Sequence, residues 1–285
     1  MIPDAAYPVL LLCGSDPNRR DLMKVLDPEG LLPSKALLPM AGKRVLDWQL
    51  DAMIESPDIS DIYLIGLSPE EFPSDRDLKY IQYERNSSIL EKIKYGSLFL
   101  QKAYPDLDHV IVCSGDAPGV TTSSINQFFD MFRQNLDADL LIGVVPEDIT
   151  LKFFPNHRRV IGKFKDLSVY PGEMYVFRHK IIPVIEDEIL QMTLKRRQFD
   201  RQKDTSKLVP ILKYLGRKPR LWLLIIKYGL GLLSISELES ILSKVYNLKM
   251  KAIIIPDPGF GMDLDLPEDY ESITEYIKMT KVQAL

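Results

Sequence analysis

The chain has 285 residues, 46% of them hydrophobic and 27% charged, and a net charge of −4. That length can bury a full core in one large domain, while the acidic balance excludes general nucleic-acid binding, which needs a basic excess. The two cysteines, Cys13 and Cys113, make neither a CxxC pair nor a disulfide framework, which suits a reducing, cytoplasmic setting.

The N-terminal stretch MIPDAAYPVLLLCGS lacks a basic leader, carries Asp4, and is apolar only from Val9 to Cys13. It predicts a strand rather than a secretion signal. PVLLLC is that strand, and it runs into Gly14 and a polar loop. Val45, Leu46, Gln49, Leu50, Met53 and Ile54 then recur at helical spacing, and DIYLIGL is a second apolar run. Ser87 and Ser88 are good N-cap types for a helix with Ile89, Leu90, Ile93 and Leu100 on one face. HVIVCS is a third strand, TTSSINQFFDMF opens a third helix, and ADLLIGVV is a fourth strand. Strand alternating with helix predicts a doubly wound, mostly parallel α/β sheet. Ligands in such sheets bind beyond the carboxyl ends of the strands. Gly14 and Asp116 stand at two of those ends, and burial alone gives a strand no reason to finish in Asp116.

Past Val145 the pattern changes. LKFFPNHRRVIGKFKDLSVYPGEMYVF predicts short strands with turns, and 181–216 predicts basic helix. Between Lys195 and Arg220 there are ten Lys and Arg against Asp200 and Asp204. LWLLIIKYGLGLL follows at 221–233, interrupted by Lys227 and two glycines, and no run reaches the roughly 18 apolar residues of a spanning helix. KMKAIIIPDPGFGMDLDLPEDYESITEYI returns to strand, loop and helix, with Pro267 as a good first helical residue and Glu268 and Asp269 in the first turn.

Two constellations carry chemistry. The loop after Gly14 holds Arg19 and Arg20, and Lys35 follows before ALLPMAGK. Backbone N–H groups of such a loop can form an anion nest, and Arg and Lys meet phosphate charge. The loop is neither a GxxxxGK[ST] nor a GxGxxG motif. The second constellation is acidic: Asp116, and Asp263 with Asp265, which share a face in an extended segment. His109, His157 and His179 lack zinc-site spacing, and no GxSxG elbow supports a hydrolase.

LLLCGSDPNRR…SKALLPMAGKRVLDWQLDAM resembles the first signature of the nucleotidyltransferases with a GT-A-like fold, especially the MobA-like NTP transferase group (roughly LxAGGxGxRM…PKxLLPxxGKPLL). SGDAP resembles the second motif of that family, a strand-end Asp on the catalytic magnesium, and GMDLDLPEDY the third. The three stand in the family's order across residues 9 to 270. Ser15 replaces the second glycine, the loop is longer, and Ser34 rather than proline precedes Lys35.

The resemblance implies a GT-A-like (nucleotide-diphospho-sugar transferase) sheet with a mixed β and helical insertion. It implies one nucleotidyltransferase domain over 1–285, in which 146–250 supplies acceptor-side strands and a basic and apolar helical insertion. The activity implied joins a nucleoside triphosphate to a phosphorylated acceptor, a sugar 1-phosphate or phospho-alcohol, with release of pyrophosphate. Mg²⁺ would sit on Asp116 with Asp263 or Asp265, consistent with its taste for one or two carboxylates. By the same analogy Leu12, Cys13, Gly14, Ser15 and Gly115 contact the nucleotide. Arg20 or Arg19 and Lys35 hold the distal phosphates, Ser87 or Ser88 approaches the nucleotide, and Gly172 and Glu173 face the acceptor. Two other readings stand beside it: a glycosyltransferase, with DLD as its DxD motif, and a non-catalytic nucleotide-binding protein. For 195–233 the alternatives are peripheral contact with an anionic membrane, or a helix packed on the main domain or at a homo-oligomer interface.

Overall fold

The computed structural model describes residues 6–14, 21–84, 87–156, 161–182 and 219–282. In chain order its strands are β1 (Tyr7–Leu12), a short hairpin of β2 (Pro39–Met40) and β3 (Lys43–Arg44), β4 (Ile59–Ile65), β5 (Lys79–Ile81), β6 (His109–Ser114), β7 (Leu140–Pro146), β8 (Gly162–Lys163), β9 (Ser168–Arg178) and β10 (Met250–Ile254). The helices are α1 (Asp21–Leu26), α2 (Val45–Ile54), α3 (Ile89–Ala103), α4 (Thr122–Arg133), α5 (Glu147–Phe153), α6 (Pro219–Gly229), α7 (Ile235–Tyr246) and α8 (Pro267–Ile277).

The main sheet runs β10-β7-β9-β6-β1-β4-β5, with β8 paired to β9. β1 is parallel to β4 and β6, and β10 is parallel to β7. β9 lies between β6 and β7 and runs against both. The four apolar runs of the sequence are therefore the sheet's parallel framework, because strands covered on both faces carry apolar side chains throughout. Val9 and Leu11 of β1 pack with α2 (Leu46, Leu50) and α4 (Ile125, Phe128, Phe129) on one face. Leu10 points the other way and packs with Ile93 and Leu100 of α3. The doubly wound expectation holds.

Two local expectations need correction, and one falls outside the described residues. Ile54 and Ile89 are exposed rather than buried, each at the margin of its helix's apolar stripe. Leu151–Phe153 belongs to helix α5, whose first turn carries Glu147 and Asp148 beside the helix's positive end. The basic helix expected over 181–216 lies outside the described residues from 183 onward.

The chain leaves β1 toward β4, while β6 lies on the other side of β1. The carboxyl ends of β1 and β6 thus flank a topological switch point, where α/β sheets place their ligands. A third segment reaches this crevice from the C-terminal part of the chain. A Cβ added to Gly259 would lie 2.1 Å from the Gly119 carbonyl oxygen, so both glycines are needed for the two backbones to cross. Thr121 Oγ1 donates to Asp257 Oδ2 at 2.6 Å, and Lys281 Nζ donates to the Pro118 and Val120 carbonyls at 2.9 and 2.7 Å. These contacts fix the loop after β6 to residues on both sides of α8.

Candidate functional site

Asp116 follows β6 and is buried. Its carboxylate accepts a hydrogen bond from Ser114 Oγ. Gln49, fully buried on α2, reaches under this turn: its Nε2 donates to the Ser114 carbonyl at 2.7 Å and its Oε1 accepts from Ala117 N at 3.3 Å. Gly115 N donates to the Leu12 carbonyl at 2.9 Å. A Cβ at Gly115 would lie 2.8 Å from Cys13 Sγ, so a side chain there would push β1 and the Asp116 turn apart.

Asp263 and Asp265 come from the segment before α8. Met262 and Leu264 are buried in the core, which sends Asp263 and Asp265 together to the opposite face. Leu264 N donates to the Asp116 carbonyl at 3.2 Å, which sets this segment alongside the end of β6. Asp269 Oδ2, in the first turn of α8, accepts from Asp265 N at 3.3 Å and Leu266 N at 2.9 Å. Asp116, Asp263 and Asp265 each offer one carboxylate oxygen, and these lie within 4.8 Å of one another. An all-oxygen, acidic donor set of this kind fits Mg²⁺ or Mn²⁺ rather than a soft metal.

Lys35 completes the cluster. Its Nζ lies 2.5 Å from Asp116 Oδ2 and 2.8 Å from Asp265 Oδ1, and donates to the Leu264 carbonyl. Burial pulls the ammonium down, but the two carboxylates outweigh it, so Lys35 titrates above its usual range. The turn that presents Lys35 is capped by Ser34, whose Oγ accepts from Ala36 N at 3.3 Å and donates to the Gly14 carbonyl at 2.8 Å. The serine that departs from the family pattern thus ties Lys35 to the end of β1.

A second cation stands on the other side of β1. Lys92 of α3 is buried, and its Nζ lies 3.7 Å from where a Cβ at Gly14 would be and 3.3 Å from that of Gly66. Gly66 follows β4 with φ +105°, and a Cβ there would strike the Cys13 carbonyl at 1.9 Å, so only glycine fits. Cys13 lies between the charges: burial raises its thiol pKa first, Asp116 raises it further, and Lys92 opposes. Burial likewise raises Cys113, which keeps both cysteines as inert neutral thiols. Lys92 escaped the sequence reading, and Gln49 entered it only as a position on a helical face. Their signal is a polar residue on an apolar helical stripe: Lys92 shares its face with Gly96 and Leu100, and Gln49 with Leu46 and Met53.

The other expected residues divide as follows. Leu12, Cys13 and Gly14 end β1 at the crevice. Ser15, Arg19 and Arg20 lie outside the described residues. Ser88 is the N-cap of α3, accepting from Glu91 N at 3.3 Å, and Ser87 Oγ donates to the Glu84 carbonyl at 2.6 Å, so both have structural work. Gly172 of β9 makes room for Phe260, whose ring would lie 2.6 Å from a Cβ at that position. Glu173 is buried on the same strand, next to the Met174 that pairs with Cys113.

No protein-family model and no curated protein sequence matches the chain. Solved structures do match. A hypothetical transferase from Thermus thermophilus aligns with a TM-score of 0.67 and 19% identity over 93% of this chain and 100% of that one. CMP:2-keto-3-deoxy-manno-octonic acid synthetase complexed with CTP gives 0.53 and 11% over 98% and 100%. 4-Diphosphocytidyl-2C-methyl-D-erythritol synthase from Anaerococcus prevotii gives 0.51 and 13% over 96% of each chain. At these identities the likeness is one of fold, and the chain has the GT-A-like α/β fold.

Proposed function

We propose that the protein is a divalent-metal-dependent nucleotidyltransferase. The observation that carries this reading is the convergence of Asp116, Asp263, Asp265 and Lys35 at the β1–β6 crevice. The motif order Gly14…Lys35, Asp116, Asp263–Asp265 supports a MobA-like NTP transferase in particular.

Asp116, Asp263 and Asp265 would hold Mg²⁺, which when bound neutralises charge on the reacting phosphates and polarises the α-phosphate. Lys35 balances two of these carboxylates. With those carboxylates occupied, Lys35 would hold the distal phosphates and stabilise the departing pyrophosphate. Ser34 and Gln49 act as positioning residues: one fixes the Lys35 turn, the other the Asp116 turn. Lys92, a donor-only group at the β1–β4 seam, takes an acceptor on the nucleoside side of the triphosphate. A phosphate oxygen of the acceptor attacks the α-phosphorus, the bond to the β-phosphate oxygen breaks, and pyrophosphate leaves. Arg19 and Arg20 are the proposed further phosphate contacts, and Gly172 with Glu173 the acceptor side. Two structural neighbours carry cytidine nucleotides in their names or complexes, which makes CTP the first triphosphate to try.

The test is pyrophosphate release from each of the four NTPs with Mg²⁺ and a panel of sugar 1-phosphates and phospho-alcohols. Acceptor-dependent release is expected. Turnover of a nucleotide-sugar without pyrophosphate would favour glycosyl transfer instead, and a protein that binds nucleotides but turns over neither substrate would be a non-catalytic binder.

A further inference from the structure

Helix α6 and the turn after it present apolar side chains to solvent. Trp222, Leu223, Ile226, Tyr228, Leu230 and Leu232 are 40% to 67% exposed. Residues 222, 223, 226 and 230 share one helical face. Leu221 and Leu233 point inward and are buried. The segment is docked: Lys227 pairs with Glu237 of α7 at 2.6 Å, Lys163 N donates to Tyr228 Oη at 3.1 Å, and Lys165 N donates to the Leu233 carbonyl at 2.8 Å. Apolar groups concentrated this way on a firmly held helix mark a contact surface.

On the turn beside it Lys163 and Lys165 are exposed, while the Asp166 carboxylate accepts from Ile235 N at 3.1 Å at the start of α7. Both lysines belong to the β8 turn that hydrogen-bonds to this segment. The sequence leading into α6 adds ten Lys and Arg against two Asp over 195–220, in a chain of net charge −4; of that stretch, 195–218 lies outside the described residues. The patch also has a defined relation to the crevice. β8 pairs with the start of β9, and that start lies opposite Pro146 at the carboxyl end of β7. The apolar face and the Asp116 site therefore lie toward the same edge of the sheet.

We propose that α6 and the turn after it rest on an anionic lipid surface. A second copy of the chain would bring Lys163 and Lys165 of both copies together across a symmetric contact, where like charges repel. An anionic headgroup layer attracts them, and the attraction is felt within a Debye length of the surface. Trp222 and Tyr228 are the side chains that settle at a headgroup boundary. Among the described residues no helix is long and apolar enough to cross a membrane, so α6 lies along the surface. This contact requires nothing of the reaction chemistry proposed for the crevice.

The test is co-sedimentation with vesicles of phosphatidylcholine alone and of phosphatidylcholine mixed with phosphatidylglycerol, at low and high salt. Binding to the mixed vesicles at low salt is expected, weakening several-fold as salt rises, with a blue shift of tryptophan emission. The chain has two tryptophans, and Trp48 is buried with its indole N–H on the Met40 carbonyl at 2.8 Å, so that shift reports Trp222. L223D with I226D should abolish binding, and K163E with K165E should weaken it several-fold. All four side chains are exposed, and an unchanged circular dichroism spectrum would verify folding in both variants. No binding at low salt, equal binding to both vesicles, or retained binding by L223D/I226D would overturn the proposal. A dimer that L223D/I226D dissociates, without vesicle binding, would overturn it in favour of a second copy.

Discussion

The two sides of β1 carry opposite charge at the carboxyl edge of the sheet. Toward β6 lie three carboxylates from two distant segments, with Lys35 set between two of them. Toward β4 lies the buried ammonium of Lys92, beside two strand-end positions that contain no side chain. Under the proposed function, the acidic side would take a cation and the basic side an acceptor of the nucleotide.

The largest effect should come from the acidic side. Asp116→Ala removes a carboxylate aimed at developing charge, and should cost about 3 kcal/mol or more of barrier, roughly a hundredfold in kcat. The protein should stay folded, because the backbone bond from Leu264 to the Asp116 carbonyl is kept, although the Ser114 and Lys35 contacts to the carboxylate are lost. Wild-type turnover by a folded D116A protein would remove the acidic side from the reaction.

Lys35→Ala should act in two directions. Triphosphate binding should weaken by about 1.5–3 kcal/mol, the usual value of a charge-assisted bond, while monophosphate binding changes little. Mn²⁺ or Mg²⁺ binding without nucleotide should tighten, because the ammonium no longer competes for Asp116 and Asp265. Calorimetric titration of the metal alone reads this directly, and unchanged metal affinity would mean that the lysine does not stand in for the cation.

Lys92→Met tests the basic side. Triphosphate and monophosphate should both lose about 1.5 kcal/mol of binding, since the contact is to the part they share. A methionine of similar length fills the same space, and a thermal melt beside the binding assay checks that the variant is folded. Loss confined to the triphosphate would move Lys92 from the nucleoside to the phosphates.

The smallest effect concerns the tether of the acidic side. Burial pulls Lys281 down to about 8, against the opposing pull of Asp257, Asp51 and Glu55. Its folded-state pKa is therefore below the unfolded one, and between about pH 8 and 10.5 the unfolded chain binds more protons. Stability from this group rises with pH across that window. Cys13 and Cys113, raised by burial, act the other way above about pH 9. The informative quantity is the stability of the wild type minus that of Lys281→Met in denaturant titrations, which should rise across this window; a flat difference would contradict the linkage.

Much of this arrangement could be read in the residues. β1, β4, β6 and β7 were legible because strands buried on both faces need continuous apolar runs. Asp263 and Asp265 were legible because they alternate with Met262 and Leu264, which burial holds inward. Lys92 was not, since a lysine in a helix beside Lys94 reads as a solvent-facing residue until α3 is seated on β1. The crossing of Gly119 and Gly259, which brings the two acidic segments together, depends on a contact between distant parts of the chain that no local pattern encodes. Helix α5 was hidden by its apolar residues, which in so short a segment fit strand and helix alike.

The most direct measurement is calorimetric titration of CTP, GTP, UTP and ATP into the wild-type protein and into D116A, with Mg²⁺ and with chelator. The account predicts that at least one triphosphate binds the wild type tightly with Mg²⁺ and far more weakly with chelator, and that D116A abolishes the difference. Binding of the same strength with and without Mg²⁺, or no binding of any triphosphate, would contradict it.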